Sequence, residues 1–150
     1  SELFMGGSRG DLGYSVFGSH MQQDGWRDHS AVQNIFSQAK LNFRTSADSD
    51  LMVVFREFYS PLSKDPGALT SAEVHANPRQ ASARNVQFNA GEEIRQEEIG
   101  MRFRNRFSGG KEFTATTYLL HRDFQNRQAF FDGGQVQFDR WVGGLLQQFD

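Results

Sequence analysis

The sequence predicts an all-β chain, a run of antiparallel strands of the kind that forms a segment of a transmembrane β-barrel. Three observations lead there. Apolar and polar residues alternate with a period of two in one run after another. Short connections rich in Gly, Asp and Ser alternate with long polar ones. The composition is aromatic yet polar, with 15 Phe in 150 residues and a mean hydropathy of -0.61. A soluble domain builds its core mainly from Leu, Ile and Val. A barrel wall alternates lipid-facing and lumen-facing residues, so its mean conceals two different faces.

A short strand is expected near Glu2–Met5, followed by a turn over Gly6–Asp11 (GGSRGD). The strand at 11–22 sets Leu12, Tyr14 and Val16 against Gly13, Ser15 and Phe17. A longer polar connection, Gln22–Ser30, leads to a strand at 31–44, where Ile35, Ser37, Ala39, Leu41 and Phe43 take one face. The turn Thr45–Asp50 (TSADSD) precedes a strand at 50–60, with Leu51, Val53 and Phe55 as its apolar side. From Ser60 to about Glu92 runs the longest connection. Within it Thr70 reads as an N-cap and Glu73 as the other half of a capping box, with Pro78 stopping the short helix.

The strand at 93–107 opposes Ile99, Met101, Phe103 and Phe107 to Gly100, Arg102, Arg104 and Arg106. After Ser108–Lys111 (SGGK) comes a strand at 112–125 whose faces are harder to separate. A third long connection, Asn126–Gln137, leads to a strand at 138–149, with Trp141, Gly143, Leu145 and Phe149 on one side. Seven strands result. The short connections fall at one end and the long ones at the other, as in outer-membrane barrels with periplasmic turns and extracellular loops. Phe43, Phe107 and Phe149 near the turns and Trp141 at the other strand end are placed like two aromatic girdles; Phe capping a sandwich core is the alternative. On the barrel reading Ile35, Leu41, Phe103 and Leu145 share one outward face.

A net charge of -2, a pI near 6.1 and no basic run argue against a nucleic-acid partner. There are no cysteines, hence no disulfide scaffold or thiolate metal site. No apolar stretch reaches the roughly 20 residues of a spanning helix. No signal peptide opens the chain, so an export signal is expected outside it. No nucleophile elbow, phosphate loop or zinc-binding helix is present, and the chain is read as a non-enzyme. Asp24, Asp28 and His29 lack a ligand spacing, and Glu92, Glu93, Glu97 and Glu98 fall on both faces of a strand. No catalytic residue and no protein-bound metal is expected.

Several phrases resemble TonB-dependent outer-membrane receptors. They are DGWRDHS at Asp24–Ser30, DPGALT at Asp65–Thr70, NPRQ at Asn77–Gln80, NVQFN at Asn85–Asn89 and the strand Ile99–Phe103. The branch they are most similar to takes up ferric siderophores or ferric citrate. The resemblance runs from about Asp11 to Phe131. It implies a barrel of roughly 22 strands closed around a plug, coupled to the TonB complex through an N-terminal region. This chain carries neither plug nor TonB box, so residues 1–150 would be a partial barrel, about a third of the wall.

The resemblance further implies an anionic ferric chelate as ligand, iron being part of that ligand rather than a cofactor. Arginine suits such a group. Candidates are Arg27 and His29 in the first outer loop, Arg79 and Arg84 in the long loop, and Arg122 and Arg127 near the third, with Trp26 and Phe88 for aromatic contact; the plainer alternative is that these arginines are solvated or paired with Asp24, Asp28 and Asp123. Arg102, Arg104 and Arg106 share one strand face, expected to face the lumen and pair with neighbouring strands or a plug. The other partners implied are the TonB complex and outer-membrane lipid, and the location the bacterial outer membrane. A passive porin and a soluble β-barrel or sandwich that binds a small ligand remain the alternatives.

Overall fold

The computed structural model describes all 150 residues. Seven strands form one sheet in strict chain order: β1 (Glu2–Arg9), β2 (Leu12–Gln23), β3 (Val32–Arg44), β4 (Ser49–Lys64), β5 (Gly91–Arg106), β6 (Glu112–Gln128) and β7 (Gly134–Phe149). Every neighbouring pair is antiparallel, and the sheet is open, with β1 and β7 at its edges. Two short helices, α1 (Ser71–Ala76) and α2 (Ala83–Gln87), lie in the β4–β5 connection. The fold is therefore all-β, as the alternation predicts.

Register assigns the faces. Across the middle of the sheet Val16, Ala39, Phe55, Ile99 and Leu119 stand in one row. The next row towards the short turns holds Tyr14, Leu41, Val53, Met101, Thr117 and Leu145, and the one after it Leu12, Phe43, Leu51 and Phe103. Ile35, Leu41, Phe103 and Leu145 all lie on this apolar face, as expected. The opposite face carries Lys40, Asn42, Asp50, Arg56, Glu98, Arg102 and Arg104.

Exposure of the two faces is inverted relative to a soluble domain. Leu41, Phe55, Ile99, Met101, Phe103 and Leu145 are exposed, while Arg102 and Arg104 between them are half-buried. The cavities, too, are lined chiefly by the polar face. A curved sheet splays the side chains of its convex side and crowds those of its concave side, so the apolar face is convex. No core is enclosed: Val54 and Ala90 are the only apolar side chains buried. The accessible surface is 10082 Å², against about 7,750 Å² expected of a folded monomer of this mass. The hydrogen-bond ladder, rather than a packed interior, holds the strands in register.

Three expectations are corrected. Gly6 and Gly7 belong to β1 and pair with Ser15 and Tyr14, leaving only Gly10 and Asp11 as the turn. Gly7 is needed there because a Cβ would stand 2.9 Å from the Tyr14 hydroxyl oxygen; a ring laid over a strand glycine covers backbone the glycine leaves bare. The third long connection shrinks to 129–133, because Asn126 and Gln125 pair with Val136 and Gln137. The strict alternation of short and long connections therefore fails at its last member. Finally, β4 continues past Pro61 to Lys64, with the proline, which has no N–H to donate, lying where the β4–β5 register shifts between Ser60 and Ser63.

Gly91, where the long connection enters β5, has φ +152, and a Cβ there would lie 2.4 Å from the Ser63 carbonyl oxygen of β4. Gly91→Ala is expected to part β4 from β5 at this end and to cost about 1–3 kcal/mol, measured by urea unfolding in micelles.

Candidate functional site

Three groups of residues stand out: the connections at the long-loop end, the aromatic upper half of the concave face, and an arginine-rich cradle at the short-turn end.

At the loop end the β2–β3 connection is tied to the β4–β5 connection. Arg27 donates from Nη1 to the Gly67 carbonyl (2.7 Å), from Nη2 to those of Pro66 (3.1 Å) and Gln80 (2.9 Å), and from Nε again to Gln80 (3.1 Å). Arg79 returns the contact from Nε to the Trp26 carbonyl at 3.1 Å, and the Asp28 N–H donates to the Arg79 carbonyl at 2.7 Å. His29 Nε2 lies 3.0 Å from the Ala90 carbonyl oxygen. A guanidinium presents several N–H groups in a rigid fork, and a carbonyl at the end of each holds a loop that has no sheet to pair with.

The β6–β7 connection joins this cap. Arg84 of α2 places its guanidinium carbon 5.3 Å from the centre of the Phe131 ring. Phe88 packs over Gly133, where a Cβ would lie 2.9 Å from the ring and the φ of +75 also favours glycine.

Arg27, His29, Arg79, Arg84 and Phe88 are thus brought together as contacts between the connections. Arg122 and Arg127 lie elsewhere, on β6: Arg122 donates to Gln96 Oε1 from Nε at 2.8 Å, and Arg127 pairs with Glu93 and reaches Gln125. None of these guanidinium groups pairs with Asp24, Asp28 or Asp123, while Arg79 and Arg84 are solvent-exposed, the other form of the plainer alternative; the partners are backbone carbonyls, Gln96, Gln125, Glu93 and the Phe131 ring. Trp26 keeps its side chain outward, 61% exposed.

Helix α1 bears the expected capping box. The Thr70 N–H and hydroxyl donate to Glu73 Oε2 at 2.7 and 2.8 Å, and Thr70 Oγ1 accepts from the Glu73 N–H at 3.3 Å. The two bonds from Thr70 hold the Glu73 carboxyl below its ordinary value. A carboxyl lowered in the folded state contributes stability that is complete above the ordinary value and is lost as pH falls through the lowered one. The Thr70 amide proton shift should titrate with a midpoint below that of the isolated loop peptide, and Thr70→Ala, which removes the hydroxyl donor and keeps the backbone N–H, should narrow the difference without abolishing it.

The concave face carries residues that the sequence reading did not single out. Phe36 and Phe58 are register partners, with Gln96, Arg122 and Arg140 continuing their row. In the row above, the rings of Phe124 and Phe138 stack at 5.0 Å. The Arg140 guanidinium sits 5.1 Å from the centre of the Phe138 ring. Their even-numbered parity on β3, β4, β6 and β7 was the available signal, obscured because aromatics occur on both faces.

Towards the short turns the same face forms a cavity of about 490 Å³ lined by Asn42, Arg44, Asp50, Arg102, Arg104 and Arg106 among others. The three β5 arginines therefore share the concave face. Arg104 donates to Asp50 from Nε (2.9 Å) and Nη2 (2.6 Å), and Arg106 meets Glu112 at 3.5 Å. Across β5 the acidic residues divide as expected, Glu92 and Glu98 concave, Glu93 and Glu97 convex. No group of three or more His, Asp or Glu side chains is arranged to hold a metal ion. No known protein-family model matches the chain.

Proposed function

We propose that the seven strands are a stretch of outer-membrane β-barrel wall from a receptor of the TonB-dependent type, serving energised uptake of a ferric siderophore or ferric citrate. The observation that carries the membrane half is the inverted sheet: from the middle rows to the short turns the exposed convex face is apolar and the half-buried concave face carries Arg102 and Arg104, the convex charges such as Arg95 and Glu97 lying towards the long-loop end. Water-exposed sheets place these faces the other way round.

On β7, Trp141 and Phe149 bracket the convex face and lie about 26 Å apart along the strand. A tilt of roughly 40° reduces that to a height of about 20 Å, near the apolar band of a thin bilayer. Trp141 stacks on His121 at 4.5 Å, and Phe107 and Phe149 approach to 6.2 Å, as girdle residues at the two interfaces would. β1 and β7 run in the same direction, so the sheet cannot close antiparallel on itself. Closure calls for further strands, in keeping with a larger barrel.

The receptor half rests on the loop phrases that resemble the family and on loops cross-tied into one cap above a concave face bearing Phe36, Phe58, Phe124 and Phe138 with Arg122 and Arg140. Aromatic faces with guanidinium groups suit an organic, anionic chelate. A plug and the TonB complex are the partners this reading requires.

The test is uptake by bacteria that lack their own ferric receptors and express the gene, with ferric citrate, a ferric hydroxamate or a ferric catecholate as iron source. Uptake of one complex, abolished by a protonophore, is expected. Uptake insensitive to the protonophore would point to a passive porin. A product that stays monomeric in buffer without detergent would leave only the soluble binding module.

A further inference from the structure

The arginines of β4 and β5 follow a simple pairing rule. Arg56 meets Glu98 at 3.2 Å, Arg95 meets Glu97 at 2.8 Å, Arg104 meets Asp50 and Arg106 meets Glu112. Each of the β4 and β5 arginines has a carboxylate opposite or adjacent, with the exception of Arg102. Its register partners are Met52 on β4 and Thr116 on β6, neither of them acidic. Of its diagonal neighbours only Asp50 is a carboxylate, and Arg104 holds that group with two N–H donors. The Arg102 Nε–H is buried and has no protein acceptor.

A buried donor on a cation is costly unless an acceptor meets it. Arg102 also lies where two cavities adjoin: the basic one of about 490 Å³ and a less polar one of about 330 Å³ bounded by Val54, Gly100, Thr116 and Tyr118. Gly100 puts no side chain between Val54 and Tyr118 in the row beside Arg102. Asn42 supplies an amide and Thr116 a hydroxyl at the margins of this space. The arrangement offers one uncommitted guanidinium beside neutral donors and the positive charge of Arg104 and Arg106, the lining carboxylates Asp50 and Glu98 being held by Arg104 and Arg56.

We propose that Arg102 is the centre of an oxyanion site at the short-turn end of the concave face, taking a carboxylate or phosphate group of a small molecule through its Nε–H and an adjacent Nη–H. A planar two-oxygen acceptor matches the edge of the guanidinium, and a carboxylate and a phosphate share that geometry. The site is argued from the concave face of this chain, the face that a plug would meet on the receptor reading.

The test is nitrogen-15 arginine NMR of the full chain refolded in detergent micelles, titrated separately with inorganic phosphate and with citrate. The Arg102 Nε–H signal should shift and saturate at a concentration at least tenfold lower than any shift at Arg9, which lies on the opposite face. Arg102→Gln should weaken binding at least tenfold, and Arg102→Lys should retain a part of it. Tighter binding of one titrant would assign the site to that oxyanion, and equal binding to the shared chemistry. Should Arg102→Gln fail to fold, the wild-type titration alone decides. Shifts that grow together at all arginines without saturating, or Arg102→Gln binding like the wild type, would overturn the proposal.

Discussion

Leu119→Arg is expected to cost about 2–4 kcal/mol of stability in a bilayer, and Leu120→Arg, one residue on, less than about 1 kcal/mol. The two leucines are adjacent on β6 and point to opposite faces. Leu119 stands between Ile99 and Gly143 on the convex side and is 45% exposed. Leu120 is half-buried on the concave side, opposite Glu98 and Val142. In water the ranking would be reversed: a charge at the more buried Leu120 would be the damaging one, and at the exposed Leu119 it would be tolerated. In a bilayer Leu119 faces hydrocarbon, whereas arginine at Leu120 lies on the water-facing side opposite the Arg56–Glu98 pair. Unfolding titrations of both variants in liposomes measure the order, whose sign distinguishes the two environments more sharply than either magnitude.

Arg27→Ala is expected to release the β4–β5 connection, with local opening easier by about 2–3 kcal/mol. Four N–H contacts to three carbonyls would be lost at once, and those carbonyls lie 39 to 53 residues away in sequence. Gly67 is part of the same joint: its φ is +67 and a Cβ would lie 2.3 Å from Asn85 Oδ1, so the turn beneath the clamp has little freedom to adapt. Hydrogen exchange should accelerate from Asp65 to Ala90 while the amides of β5 and β6 keep their protection. Limited proteolysis should cut first between Pro66 and Gln80. Arg27→Lys should recover little, since a single ammonium cannot reach carbonyls spread around a planar fork.

The strand pattern was legible because side-chain direction alternates whatever lies on either side of the sheet. Leu12, Tyr14 and Val16, then Ile99, Met101 and Phe103, share the convex face that period two assigns them. The capping box at Thr70 and Glu73 was legible for the same reason, being purely local. Gly6 and Gly7 misled because glycine serves both a turn and a strand crossed by a ring, and only the Tyr14 neighbour separates the two. Polar Asn126, Arg127 and Gln128 looked like loop although their backbones pair with Val136, Gln135 and Gly134 of β7 as well as any apolar residue would. The part played by Arg27 could not be read from its neighbours in sequence, since its acceptors are backbone carbonyls in another connection. Arg102 could be placed on a face, but its want of a partner depends on Met52 and Thr116, which only register brings beside it.

The central claim, that the convex apolar face meets lipid and the concave charged face meets water, is tested most directly by spin labels along β5. The chain has no cysteine, so each introduced cysteine gives a unique label. Labels at 98 through 104, in liposomes, should alternate residue by residue. Positions 99, 101 and 103 should be relaxed by oxygen, which concentrates in hydrocarbon, and positions 98, 100, 102 and 104 by a water-soluble nickel chelate. Accessibility of 99, 101 and 103 to the nickel chelate, or their protection from both reagents, would contradict the account.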